Sequence, residues 1–237
     1  MFRSKTILFL FFLSALVQGY AAPIFTIRFN FHFGDTEFMR GETYTTSKGE
    51  KLIINRFQFY VSGLNAITNK GDTIQLSTEH FLVRIADSSS TVIQLNRPHQ
   101  SIQKIIFTIG VDSIRNVTGI QTGSLDPSLG MFWTWRSGYI MAKMEGVSEQ
   151  ANTAGKRFTH DVGGFQYPHN AVRQIVMNLP VHANLLTGIT VDTDMHKWFN
   201  GKHSIQLAKN PVCHSPGKLA MQLADNYATL FTLSEIF

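Results

Sequence analysis

Nine histidines, eight methionines and one cysteine carry the donor atoms for transition-metal chemistry in this chain of 237 residues. Neutral imidazole suits copper, zinc, iron and nickel, and sulfur donors suit Cu(I). The histidines are His32, His80, His99, His160, His169, His182, His196, His203 and His214. Their spacing is neither that of a zinc finger nor that of a zincin, so a metal site here has to be assembled from distant strands. Taken singly, each histidine reads as a surface residue or a hydrogen-bonded core residue. Only a convergence of several makes a centre. Asp112 and the Val191–Asp194 run read as turn and cap residues, because a calcium site needs six or more converging oxygens. Cys213 cannot form an intrachain disulfide and is expected to be buried as a small hydrophobe. It adjoins His214, but neighbours on an extended chain point to opposite sides, which makes them a poor nucleophile pair. The chain has no G-x-S-x-G elbow, no H-E-x-x-H, no P-loop and no G-x-G-x-x-G. It reads as a binding protein and not as an enzyme.

The segment Leu125 to Tyr139 holds two of the three tryptophans, Trp133 and Trp135, two positions apart. On a strand both indoles face one side. Such rings fill a core. Alternatively, with Tyr139, they form an aromatic groove of a cell-envelope module that takes a peptide or glycan without metal.

The elements that must position these residues are mostly strands. Phe25, Ile27, Phe29, Phe31 and Phe33 alternate with Thr26, Arg28, Asn30 and His32, a half-buried strand that turns His32 away from the apolar row. Phe57, Phe59 and Val61 mark a second strand, Phe81, Val83 and Ile85 a third, and Ile102–Ile109 a fourth. Met131, Trp133 and Trp135 alternate as well, and 173–179 and 204–207 read as further strands. Turn residues separate them at Asn69–Asp72, Asn96–Pro98, Asp126–Pro127, Gly163–Gly164 and Thr187–Gly188. The period changes once: Leu219, Leu223, Asn226, Tyr227, Leu230 and Phe231 follow helical spacing after Pro216–Gly217. The expected fold is all-β, a mainly antiparallel β-sandwich with a C-terminal helix and long loops.

Arg3 and Lys5, then the apolar run Ile7–Val17, then Gly19, Ala21 and Ala22 have the layout of a cleaved secretory signal. The run of about eleven residues is well short of the roughly 20 that span a bilayer. Cleavage after Gly19 or Ala21 fits best. The division is therefore 1–21 signal peptide and 22–237 one domain, periplasmic or secreted, with no membrane span. The formal charge of +5, less the two charges of Arg3 and Lys5, leaves +3. That is weak for a nucleic-acid binder, and no basic run interleaved with aromatics is present.

The block Gly130-Met131-Phe132-Trp133-Thr134-Trp135-Arg136-Ser137-Gly138-Tyr139, with Lys143 and Glu145-Gly146 after it, resembles the MbnP-like family of periplasmic copper-binding proteins, which includes MopE and CorA. Phe57–Leu64, Ile109–Ser113, Phe158–Gly164, Asp192–Gly201 and Ala224–Tyr227 with Phe231 are similar to the family in the same order, so the likeness covers nearly the whole exported part. The resemblance implies a copper site in which a tryptophan of the block, oxidised to kynurenine, joins histidines at the metal. In some systems a di-haem enzyme of the MauG type, peroxidase-like, is the oxidising partner. Kynurenine offers an arylamine nitrogen, whereas an intact indole N–H is a donor only. Carried onto this sequence, Trp133 is the first choice for the modified position and Trp135 the second, with His160, His203, His196 and His32 as candidate ligands. The chain departs from those relatives that carry a histidine two residues after the modified tryptophan; Trp135 stands there.

Overall fold

The computed structural model describes residues 23–134, 137–180 and 186–237. The expected signal peptide at 1–21, Trp135 and His182 lie outside the described residues. Among the described residues no helix is long and apolar enough to cross a membrane.

Two sheets face each other. In the first, the order is Phe231–Ile236, Gly188–Asp194, Ile24–Phe33, Thr36–Glu37, with Val92–Asn96 also paired to Ile24–Phe33. In the second it is Arg173–Asn178, Ile102–Ile109, Lys51–Thr68, Gly138–Val147, Arg157–Gly163, Val212–Cys213. The 18-residue strand Lys51–Thr68 organises that sheet. Its first half pairs with Gly138–Val147 and its second half with Ile102–Ile109. The change of partner falls at a bulge around Gly63, whose φ of +56° is open to glycine and strained for other residues.

The alternation of the N-terminal strand is what joins the sheets. Phe25, Ile27 and Phe29 are buried. The Phe29 ring meets Phe59 at 5.5 Å and Phe107 at 6.0 Å, both edge-on, and Phe231 closes the cluster 5.3 Å from Phe59. Edge-to-face rings at these spacings are the favoured aromatic geometry. The result is the expected β-sandwich, mainly antiparallel, with two parallel pairings among the described residues: Ile24–Phe33 with Gly188–Asp194, and Arg157–Gly163 with Val212–Cys213.

Among the described residues three α-helices complete the fold: α1 (Ser113–Val117), α2 (Lys197–Asn200) and α3 (Lys218–Tyr227). The C-terminal helix is α3, which buries Leu223, Ala224 and Tyr227. It stops at Tyr227, and Phe231 opens a strand rather than continuing the helical spacing. The stretch 204–207 is a loop, not a strand. Ile205 and Leu207 are buried there because Glu50 accepts from the Leu207 and Ala208 N–H groups, each at 2.8 Å. The Val191–Asp194 run belongs to a strand rather than a turn. Gly138–Val147 escaped the alternation rule because it is almost continuously buried, with both faces covered. Cys213 is buried and free, and burial pushes its thiol up to about 11.

Candidate functional site

The alternation that sends Phe29 inward sends His32 to the opposite face of the first sheet. There it stands between two carboxylates, with Glu37 as its register partner on one side and Asp194 on the other. His32 Nδ1 lies 2.6 Å from the Gly34 carbonyl. A carbonyl can only accept, so Nδ1 carries the hydrogen, and in the neutral ring Nε2 then holds the lone pair. That Nε2 is buried and has no hydrogen-bond partner among the described residues. The surrounding backbone is clipped in place by Asp194. Its Oδ1 accepts from Gly34 N at 2.9 Å and from His196 N at 3.0 Å, tying the turn after His32 to the start of α2. Met195 N donates to the His32 carbonyl at 2.9 Å. His196 is thus brought to the same end of the sheet, its ring edge-on to Phe33 at 5.2 Å. A cavity of about 680 Å³ opens beside His32, lined also by Asp35, Glu37, Asp192, Phe31 and Phe38.

His160 and His203 are placed differently. His160 lies on the inward face of Arg157–Gly163 and is fully buried. Trp198 Nε1 donates to its Nδ1 at 3.0 Å, and its Nε2 donates to the Asn210 carbonyl at 2.7 Å. Burial pushes its pKa down to about 4, only partly opposed by the Asn210 carbonyl and Asp161. Both ring nitrogens are engaged in a neutral core imidazole that ties α2 and the 205–211 loop to the sheet. His203 Nε2 is 3.1 Å from Asp225 Oδ2, and its backbone N–H donates to Asn226 Oδ1 at 2.7 Å. Burial would raise the Asp225 carboxyl, but hydrogen bonds from His203 and Arg173 hold it below the usual carboxylate range. His203 therefore fastens a loop to α3.

Trp133 is on a third surface. Its indole covers Gly163: a Cβ built there would lie 2.8 Å from the ring and 2.7 Å from the Tyr139 carbonyl. Gly163 and His160 are three positions apart on one strand, so they face opposite sides, and Trp133 and His160 are separated by the sheet. The Trp133 Nε1 is buried without a partner among the described residues. The segment from Asp112 to Thr134 roofs this outer face, with Tyr60 donating to the Ser124 carbonyl at 3.0 Å and Tyr139 to the Leu125 carbonyl at 2.7 Å. Tyr139 is fully buried and Trp133 half-buried. The described part of the block therefore packs as a cover. No group of three histidine, cysteine, aspartate or glutamate side chains among the described residues stands ready to hold a metal ion.

A sequence model of the MbnP family matches residues 22–215. The chain belongs to the MbnP family. Among solved structures it is similar to MbnP from Methylosinus trichosporium, with a TM-score of 0.61, 16% sequence identity and 84% of each chain covered. At that identity the likeness speaks for the fold alone. A search of curated proteins gave no match.

For this MbnP-family chain, sequence reasoning missed three residues that shape the candidate site and its neighbourhood. Asp194 is the clip between His32 and His196, but only the parallel register with the N-terminal strand reveals it. Trp198 and Asn226 hold His160 and His203 from elsewhere in the chain: Asn226 Nδ2 donates to the Trp198 and His203 carbonyls at 2.9 and 2.8 Å. Helical spacing had put Asn226 on the apolar face of α3, and a buried asparagine there was the available signal.

Proposed function

We propose that this chain is an exported copper-binding protein, a carrier and not an enzyme, with His32 as its principal ligand. The observation that carries this reading is the His32 Nε2: a buried ring nitrogen, oriented by a backbone hydrogen bond on the other ring nitrogen, with no hydrogen-bond partner of its own among the described residues. That is the tautomer a metal-ligating histidine needs, with the kind of outer partner that usually fixes it. Imidazole is a good donor to copper. Glu37 and Asp194 flank His32 and would favour a cation there. The family supports a metal role, and the oriented His32 imidazole with its two flanking carboxylates is the donor set that would hold copper, although no group of three such side chains stands assembled among the described residues. When bound, copper would supply reversible one-electron chemistry or simply be cargo.

In the same reading Trp133, with Trp135 beside it in sequence, is the position at which a di-haem enzyme of the MauG type would convert an indole to kynurenine. Its support is the resemblance of the Gly130–Tyr139 block. Trp133 lies outward on the second sheet and His32 outward on the first. Sheet-to-sheet packing alone separates the two by about 10 Å. A modified Trp133 would therefore act apart from the His32 centre.

Copper loading of the exported protein, followed by metal analysis and a competition titration, tests the proposal. His32→Ala is expected to weaken copper binding by more than the roughly 10–100-fold typical of losing an outer-shell partner. His160→Gln is expected to leave it unchanged. Copper binding by His32→Ala equal to that of the unaltered protein would refute the assignment. Intact-mass analysis of the peptide holding Trp133 reads the tryptophan modification separately.

A further inference from the structure

Sharing Ile85 with the cavity beside His32, another cavity of about 410 Å³ lies under the turn that leads into the tryptophan block, roofed by Ser128–Gly130. Three arginines line it, Arg40, Arg56 and Arg84, and among the described residues no aspartate or glutamate does. Its floor is Gln58, which is 5% exposed. Gln58 is the register partner of Arg84 on one side and of Lys143 on the other. The Lys143 ammonium is committed to Asp161 Oδ1 at 3.2 Å and Glu145 Oε1 at 3.4 Å. Arg56 reaches Glu145 at 3.3 Å from the cavity rim, and Arg84 pairs with Asp87 through Nη2. Two N–H donors then remain buried with no acceptor among the described residues, Gln58 Nε2 and Arg84 Nε. Arg40 is exposed and has no ion-pair partner among the described residues. Buried donors are nearly always satisfied in native proteins, so an unmatched pair of them at the floor of a cationic cavity asks for an acceptor from outside.

We propose that this cavity is a binding site for a small organic acid with two or more carboxylates. One carboxylate accepts from Gln58 Nε2 and Arg84 Nε, and Arg40 and Arg56 neutralise the other at the rim. Guanidinium is suited to such a ligand because its planar fork matches a carboxylate in a bidentate way. The size argues for an organic anion over an inorganic one, since the cavity is more than ten times the roughly 30 Å³ share of one water. Ile85 and Leu129 give the walls an apolar strip for a carbon skeleton. The site is independent of the copper reading.

Calorimetric titration of the metal-free exported protein with citrate tests it, with inorganic phosphate and uncharged glycerol as comparators. Citrate is expected to bind, more tightly than phosphate, with affinity that falls as salt is added. The double variant R40A/R56A, altered only at exposed positions, is expected to lose about tenfold or more in affinity, which is about 1.4 kcal/mol. Gln58→Leu, which leaves the net charge alone, is expected to lose about fivefold, with its fold checked by circular dichroism. Failure of citrate to bind at about 10 mM, a preference for phosphate, or equal citrate binding by R40A/R56A would each overturn the proposal. If Gln58→Leu does not fold, R40A/R56A decides the matter alone.

Discussion

Replacing His160 by glutamine should flatten the acid side of the stability curve. In the folded chain burial pushes the His160 pKa down to about 4 from an ordinary 6.5. Between those values the unfolded chain takes up a proton on His160 that the folded chain refuses. Stability at this residue is therefore complete above about pH 6.5 and is lost as pH falls toward 4. A shift of about 2.5 units at 1.36 kcal/mol per unit is about 3 kcal/mol, a large part of the 5–15 kcal/mol that holds a domain together. The imidazole is fully buried, so solvent does not screen this cost. A glutamine amide can accept from Trp198 Nε1 and donate to the Asn210 carbonyl, but it does not titrate. Urea unfolding of both proteins at pH 7.5, 6, 5 and 4.5 isolates the difference, since every other titrating group is common to the two. The unaltered protein is expected to lose up to about 3 kcal/mol more than His160→Gln across that range. Parallel curves would show that His160 titrates normally and that its burial has been misjudged.

Gly163→Ala puts a methyl 2.8 Å from the Trp133 ring and 2.7 Å from the Tyr139 carbonyl. It should destabilise the protein by about 1–3 kcal/mol and shift the tryptophan fluorescence. An unchanged Tm and spectrum would refute the packing described for Trp133. Cys213, its thiol raised by burial from 9.0 to about 11, should react with iodoacetamide at pH 8 about 100-fold more slowly in the native protein than in urea; equal rates would place the thiol at the surface. Trp198→Phe keeps an aromatic ring but removes the pyrrole half of the indole with the N–H that His160 Nδ1 accepts, and should cost at least about 1–3 kcal/mol in chemical denaturation. A smaller loss than about 0.5 kcal/mol would mean that the bond contributes little.

Much of the fold is written locally. The strict alternation from Phe25 to Phe33 places its aromatic row in the core and His32 on the other face without reference to any other segment. The helical spacing after Pro216–Gly217 marks α3, and a lone cysteine in a disulfide-free chain is buried as a small apolar residue would be. The tryptophan block and the shorter segments around it point to the MbnP family, and the match over residues 22–215 bears that out. Where both faces of a strand are covered, as in Gly138–Val147, alternation vanishes and the strand is hidden. Where a polar residue outside regular structure buries its neighbours, as Glu50 does for Leu207, a loop imitates a strand.

The sequence by itself determined which residues carry donor atoms and which strand faces they occupy, because side-chain periodicity is set within each strand. Only the tertiary structure decided which donors are free. His160 and His32 are equally plausible ligands as letters. Yet His160 has both nitrogens bound by groups 38 and 50 positions away, while His32 keeps one lone pair unclaimed beside a carboxylate clip. Hydrogen bonds are satisfied by whatever the folded chain brings within about 3 Å, and that depends on sheet register and loop closure, which no local pattern of residues encodes.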